Sequence, residues 1–277
     1  MARLGLGTAA LGRPGYLNLG HGAELGEDRS VDALRARTHE VLDFAYEAGI
    51  RDFDTARSYG RGEEFLGEWL RSRNPDGVTI SSKWGYVYTA NWEVATDPPE
   101  VKHHDVETFK RQLEETRTNL GDWLDLYQIH SATRESGVLG NDAVLSAMAE
   151  CGVPIGLSVS GTSQAETIDL AVSLNLFSAV QATWNLHERA AGDALARSGL
   201  KVIVKEGLAN GRLAARDAQA LSVALAQPWA DVVLSGAASI DVLESNLKAL
   251  ETEPVDEPGL AEDSDAYWAL RSSLAWN

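Results

Sequence analysis

Positive charge is scarce in this chain: 24 Lys and Arg stand against 41 Asp and Glu, a formal net charge of −17. Such a surface repels phosphate backbones and anionic bilayers alike, so neither nucleic acid nor membrane is an expected partner. Thiol is scarcer still. Cys151 is the single cysteine, so no internal disulfide can form, which fits a reducing compartment. It stands in an Ala-Met-Ala-Glu-Cys-Gly segment that reads as a buried helix end. No apolar run approaches the ~20 residues that span a bilayer, and no basic-then-apolar leader precedes the first strand-like segment. A cytoplasmic location is the expectation. No Pro/Ser-rich linker, internal repeat or low-complexity tract divides the 277 residues. A single domain over 1–277 is therefore expected, with a polar, Pro-containing tail from about 251.

What the chain has is alternation. Short apolar runs at 3–7, 51–54, 78–82, 125–129, 154–158, 179–181, 201–205 and 232–235 read as eight strands. Between them Val31, Leu34, Val41, Ala45 and Ala48 follow helical spacing, as do Val106, Phe109, Leu113 and Leu120. Ile240, Leu243, Leu247 and Leu250 keep the same rhythm. Strands alternating with helices imply parallel pairing through right-handed crossovers. Eight such units close into an α/β (β/α)8 TIM barrel, for which ~250 residues is typical. Two insertions, 13–29 and 84–105, leave the C-terminal ends of strands one and three, the face where barrel enzymes build their sites. Trp84, Tyr86, Tyr88 and Trp92 on the second either line a pocket or pack as a lid on the rim. Residues 266–276 read as a final helix that packs on the barrel or reaches the site.

Two tempting motifs fail on mechanism. Gly5-Leu6-Gly7-Thr8-Ala9-Ala10 satisfies the dinucleotide-binding glycine fingerprint literally, but that fingerprint needs a helix to begin there. Leu11-Gly12-Arg13-Pro14-Gly15 is loop chemistry, so tight strand packing accounts for these glycines. In His103-His104-Asp105 the adjacent histidines of an extended chain point opposite ways, and no second His lies one helical turn on. A solvated loop is the expectation there, and no metal site.

The segment Arg-Asp-Phe-Asp-Thr-Ala-Arg-Ser-Tyr-Gly at 51–60 carries more weight. Asp54 falls where strand two gives way to a loop, and Tyr59 follows five residues later. Alone, an Asp before a Thr-Ala turn caps a helix more often than it catalyses. Two later strand ends add Lys83, after Ile80-Ser81-Ser82, and His130, after Leu126-Tyr127-Gln128-Ile129. The Asp-Thr-Ala-x-x-Tyr spacing, the Ser-Lys-Trp-Gly segment and the Ile-His end resemble the active site of the aldo-keto reductase family, a resemblance that runs from about Leu4 to Leu250.

The resemblance implies an NAD(P)(H)-dependent oxidoreductase that moves a hydride between nicotinamide and a carbonyl or alcohol substrate, whether aldehyde, ketone or aldose. The four residues make joint chemical sense in that reaction. A developing alkoxide needs a proton, and tyrosine, with a pKa of ~10, must be tuned to exchange one near neutrality. A cationic Lys83 would favour the phenolate of Tyr59, Asp54 would pair with Lys83, and His130 would orient the carbonyl oxygen. A structural ion pair accounts for Asp54 and Lys83 but leaves Tyr59 and His130 unexplained. A non-catalytic sensor or scaffold that keeps the nucleotide is the rival reading.

The same resemblance points to the cofactor residues. Ser158 and Gln181, ending strands five and six, match positions that hold the nicotinamide carboxamide, and Trp184 lies near where the family stacks an aromatic. Val159 stands where the family usually has Asn, with Asn185 or Ser160 as substitutes. The run 206–213, with Gly207, Leu208, Gly211 and Leu213, resembles the loop wrapped over the pyrophosphate, where glycine lets backbone N–H groups approach. Ser235, Gly236 and Ala237 open the last barrel helix at a recurrent phosphate site, and Asn246 matches the adenine contact. NADPH-preferring members carry Lys and Arg where this chain has Gly236 and Val242, and Asp241 and Glu244 add negative charge. Coulomb repulsion of a 2′-phosphate brings NAD(H) forward; NADP(H) would rely on Arg212 or Arg216. Substrate identity and oligomeric state have no readable signature.

Overall fold

The computed structural model describes residues 2–94 and 96–275. Its apolar runs become eight barrel strands: β1 Arg3–Gly7, β2 Asp52–Asp54, β3 Thr79–Trp84, β4 Leu124–Ala132, β5 Ile155–Val159, β6 Ala179–Thr183, β7 Lys201–Lys205 and β8 Val232–Ser235. Each pairs in parallel with its neighbour in chain order, and β8 pairs with β1, so the sheet closes. The closed parallel sheet with intervening helices is a (β/α)8 barrel. The main departures from the expected bounds are at C-terminal ends, where β3 and β4 continue to Trp84 and Ala132.

The strand period of two decides what faces inward. Leu126, Ala179, Ile203, Val232 and Leu234 form a small apolar cluster of their own, the lower plug of the barrel. One pleat further toward the strand ends the inward positions turn polar, at Asp54, Lys83, Gln128, Ser158 and Gln181. The alternate residues, such as Leu4, Leu6, Tyr127, Leu157 and Val180, belong to the larger core between sheet and helices. Gly5 keeps the seam tight: a Cβ there would stand 2.9 Å from both the Asp52 carbonyl and Val232 Cγ1.

Two covering segments shape the upper face. The insertion after β3 folds as an antiparallel hairpin, Tyr86–Tyr88 against Glu100–Lys102. The C-terminal helix Ser264–Ser273 is capped by Asp263, which accepts from the Ala266 N–H. It starts and stops earlier than the spacing suggested, and Trp276 lies outside the described residues. In the loop His103-His104-Asp105, His103 and Asp105 are exposed as expected, but His104 turns inward. Asp105 caps the helix Val106–Leu120, while His104 packs 5.7 Å from the Trp84 ring and its Nε2 lies 2.9 Å from the His130 carbonyl. Trp84 is fully buried, and burial followed by the Lys102 charge lowers the His104 pKa to about 4. Among the described residues no helix is long and apolar enough to cross a membrane.

Candidate active site

Asp54 leaves the end of β2, Lys83 the end of β3 and His130 the inner face of β4; Tyr59 stands on the turn before the helix Gly62–Arg73. The closed sheet brings all four to one place. The Lys83 ammonium donates to Asp54 Oδ1, to the Thr55 carbonyl at 2.9 Å and to the Tyr59 hydroxyl at 3.3 Å. Lys83 and Asp54 are buried, and a buried pair of this kind needs its remaining lone pairs satisfied. Asp54 Oδ2 accepts from Ser81 Oγ at 2.6 Å, Gln181 Nε2 at 3.0 Å and Gln128 Nε2 at 3.3 Å. Polar side chains from β3, β4 and β6 thus meet on one carboxylate.

His130 is clamped by rings. The centroids of Tyr59 and Tyr86 lie 5.5 and 4.9 Å from the imidazole, both edge-on. Burial, then the Lys83 and Lys205 charges, depresses its pKa well below the usual histidine range, so the ring is neutral near pH 7. Tyr59 departs from the sequence expectation. Burial, followed by the Asp54 charge, raises its pKa well above that of free tyrosine. The Arg13 charge works the other way without offsetting the rise. Tyr59 therefore keeps its proton at neutral pH.

These groups open into a cavity of about 280 Å³ that runs from Tyr59 and His130 to the start of the last barrel helix. Ser158, Ser160, Gln181, Gly207, Leu208, Gly211, Ser235, Gly236, Ala237 and Asn246 line it. The Ser158 hydroxyl and the Asn246 carboxamide oxygen are buried without a hydrogen-bond partner. Asn246 Nδ2 donates to Ser235 Oγ at 2.8 Å.

Two residues do not reach the cavity. Trp184 is on the outward parity of its strand end and packs 5.6 Å from Trp229, with the Arg189 guanidinium 5.3 Å from its ring. Leu213 is buried behind the loop, its N–H bonded to the Leu208 carbonyl at 3.1 Å. Asn185 is committed elsewhere, donating to the Glu206 carbonyl at 2.9 Å and to Tyr267 at 3.0 Å. Arg212 and Arg216 are held by Glu262 and Glu257.

A sequence model of the aldo/keto reductase family matches residues 3–223. The chain belongs to that family. It is 24% identical over 290 residues to the uncharacterized oxidoreductase YqkF of Bacillus subtilis, an alignment covering 88% of this chain and 93% of the relative. The aldo-keto reductase AKR11C1 of Bacillus halodurans, in its holo form, is similar in fold, with TM-score 0.69 at 20% identity over 99% of this chain and 92% of that one. Glycerol dehydrogenase AKR11B4 of Gluconobacter oxydans gives TM-score 0.67 at 18% identity, covering 98% and 90%. This aldo/keto reductase is thus an oxidoreductase on a (β/α)8 barrel.

Several cavity residues of this aldo/keto reductase escape a sequence reading. Glu206, at φ +55, turns a buried carboxylate toward the C-terminal helix, where Arg271 Nη2 meets its Oε1 at 2.5 Å. Burial drives the Glu206 pKa up, but Arg271, Lys205 and a hydrogen bond from Thr183 outweigh it and hold it at about 2. Burial lowers the neighbouring Lys205 to about 8, against the pull of Glu206. A Lys-Glu pair ending an apolar strand was a visible signal. For Arg271 on a surface helix, and for Glu24 and Arg13 on the loop after β1, there was none. Arg13 Nη1 donates to the Ser58 carbonyl at 3.1 Å and to Glu100 at 2.9 Å, tying that loop to the hairpin.

Proposed function

We propose that this chain transfers a hydride between a nicotinamide dinucleotide and a small carbonyl or alcohol substrate (aldehyde, ketone or aldose), with Tyr59 as the general acid in reduction. The observation that carries the reading is the Tyr59 hydroxyl 3.3 Å from a buried Lys83 ammonium, beside a neutral His130 in the same cavity. The dinucleotide, when bound, supplies or accepts the hydride. The partnerless Ser158 hydroxyl and Asn246 carboxamide oxygen give the cavity polar groups for such a ligand at both ends. Space around Gly236 is open, with nothing within 4 Å of a built Cβ, so a ligand can lie against the backbone there.

In this reading Ser158 and Gln181 hold the carboxamide, Gly207, Leu208 and Gly211 present backbone to the pyrophosphate, and Ser235, Gly236, Ala237 and Asn246 form the adenosine end. Tyr59 starts as a phenol, which suits carbonyl reduction: it can give its proton to the developing alkoxide while His130 holds that oxygen. Lys83 faces the phenolate left behind. Trp184 is too far round the strand end to stack on a ring in this cavity.

Tyr59→Phe tests the assignment. The substitution keeps the ring contact with His130 and removes one hydroxyl. With NADH or NADPH and a panel of aldehydes, kcat should fall by about 10²–10⁴-fold, while dinucleotide affinity stays near wild type. Unchanged turnover defeats the role given to Tyr59. A wild type that binds dinucleotide yet oxidises none across the panel points instead to a nucleotide sensor.

A further inference from the structure

Resting on that reading, we infer that Glu24, on the loop after β1, occupies the Ala238 backbone amide where a dinucleotide's adenosine ribose would dock, and so selects a free 2′-hydroxyl over a 2′-phosphate. Glu24 is in the short helix His21–Leu25, more than two hundred residues from the last barrel helix in sequence. In space its Oε2 accepts from the Ala238 N–H at 3.3 Å, in the turn that opens the helix Ile240–Leu247. It lines the same end of the cavity as Gly236, Val242 and Asn246.

An N–H group in the turn that opens a helix donates to anions, and here the anion is already supplied by the protein. Burial raises the Glu24 carboxyl and the Ala238 N–H works against that rise. Among the described residues Glu24 has no salt-bridge partner; Arg37 donates to its backbone carbonyl, not to its carboxylate. Gly236 and Val242, at the same end of the cavity, carry no cation, and Arg212 and Arg216 are bound to Glu262 and Glu257. Asn246 supplies the independent sign of a ligand: it is fully buried, lines this end of the cavity, and its carboxamide oxygen has no partner.

The chemistry of the two candidate groups then separates. A ribose hydroxyl is a donor and can bond a carboxylate. A phosphate monoester brings up to two negative charges against it and must also displace it from the Ala238 amide. Juxtaposed like charges in a partly buried site weaken binding by about tenfold or more. The occupant is thus a dinucleotide with an unmodified ribose, and Glu24 is the residue that discriminates.

The test is equilibrium binding of NADH and of NADPH to the full chain, followed by tryptophan quenching and by calorimetry, for wild type, Glu24→Gln and Glu24→Lys. Wild type should bind NADH the more tightly. Glu24→Gln should lower the NADPH-to-NADH ratio of Kd values by about tenfold or more, with NADH affinity within about threefold of wild type, and Glu24→Lys should lower the ratio further. Adenosine 2′,5′-bisphosphate against 5′-AMP should repeat the trend with no nicotinamide present. A wild type that binds NADH, but whose ratio does not move in either variant, overturns this inference alone. A wild type that binds neither dinucleotide overturns the cofactor reading with it. Melting curves confirm that each variant is folded, and a variant that unfolds is replaced by Glu24→Ala under the same criterion.

Discussion

Arg271→Ala measures what fastens the C-terminal helix over the cavity. Arg271 reaches Glu206 through Nη2 at 2.5 Å and Nε at 3.0 and 3.1 Å, and the Glu206 side chain is only 8% exposed. Burial works to raise that carboxyl, yet the guanidinium and its neighbours hold it at about 2 against an ordinary 4.5. The difference corresponds to about 3 kcal/mol of stability at neutral pH. Because the folded pKa is depressed, this contribution is complete above the unfolded value of 4.5 and is lost as pH falls toward about 2. Removing the guanidinium strands the carboxylate with only Lys205 and Thr183, and breaking a buried pair from one side costs about 3–5 kcal/mol. Arg271→Ala should therefore lose about 3 kcal/mol near pH 7, a melting-point drop of roughly 6–12 °C in a chain of this size. Thermal unfolding by circular dichroism at about pH 7, 5 and 3.5 reads both size and trend, and the gap from wild type should narrow at the lowest pH. A loss below about 1 kcal/mol at pH 7, or a gap that widens on acidification, refutes the reasoning.

Two further substitutions probe the floor of the site. Lys83→Met leaves Asp54 buried without a cation, kept only by Ser81, Gln128 and Gln181, and should cost about 3–5 kcal/mol in denaturant unfolding. Adding Asp54→Asn should recover part of that loss, because the unpaired charge goes with it; no recovery means the penalty is not electrostatic. At Gly85, φ is +110° and a Cβ would stand 2.4 Å from His104 Cδ2. Gly85→Ala should destabilise by about 1–3 kcal/mol and also lower turnover, since His104 bonds the His130 carbonyl. A melting point equal to wild type argues against the close contact.

Most of the barrel was legible because burial on two faces forces each strand into a short apolar run. The helices between them betray themselves by spacing. Asp54, Lys83 and His130 stand out for the same reason: a charged or polar residue closing an apolar strand marks the rim. Past the strand ends this signal fades. Trp184 reads as a cavity residue by its nearness to Gln181, but one pleat reverses the direction of the side chain. Tyr59 shifts opposite to the expectation because sequence reveals the neighbouring Lys83 and Asp54 but hides the depth of burial, which is the largest influence on the phenol. Glu24 acts across 214 residues of sequence and Arg271 across 65, from segments with no periodicity to interpret. His104 looked solvated because nothing in its neighbourhood announced that Trp84 would turn back beneath it.

The seam between β1 and β8 joins Arg3 to Val232 and Leu6 to Ser235. A growing chain can zip the first seven strands in order, each beside the one just made. Its last ladder has to wait until nearly the whole polypeptide is available, and such distant pairing is the slow part of folding. Because Gly7, Ser235 and Gly236 flank the cavity at that joint, this end of the cavity is completed only when that ladder closes.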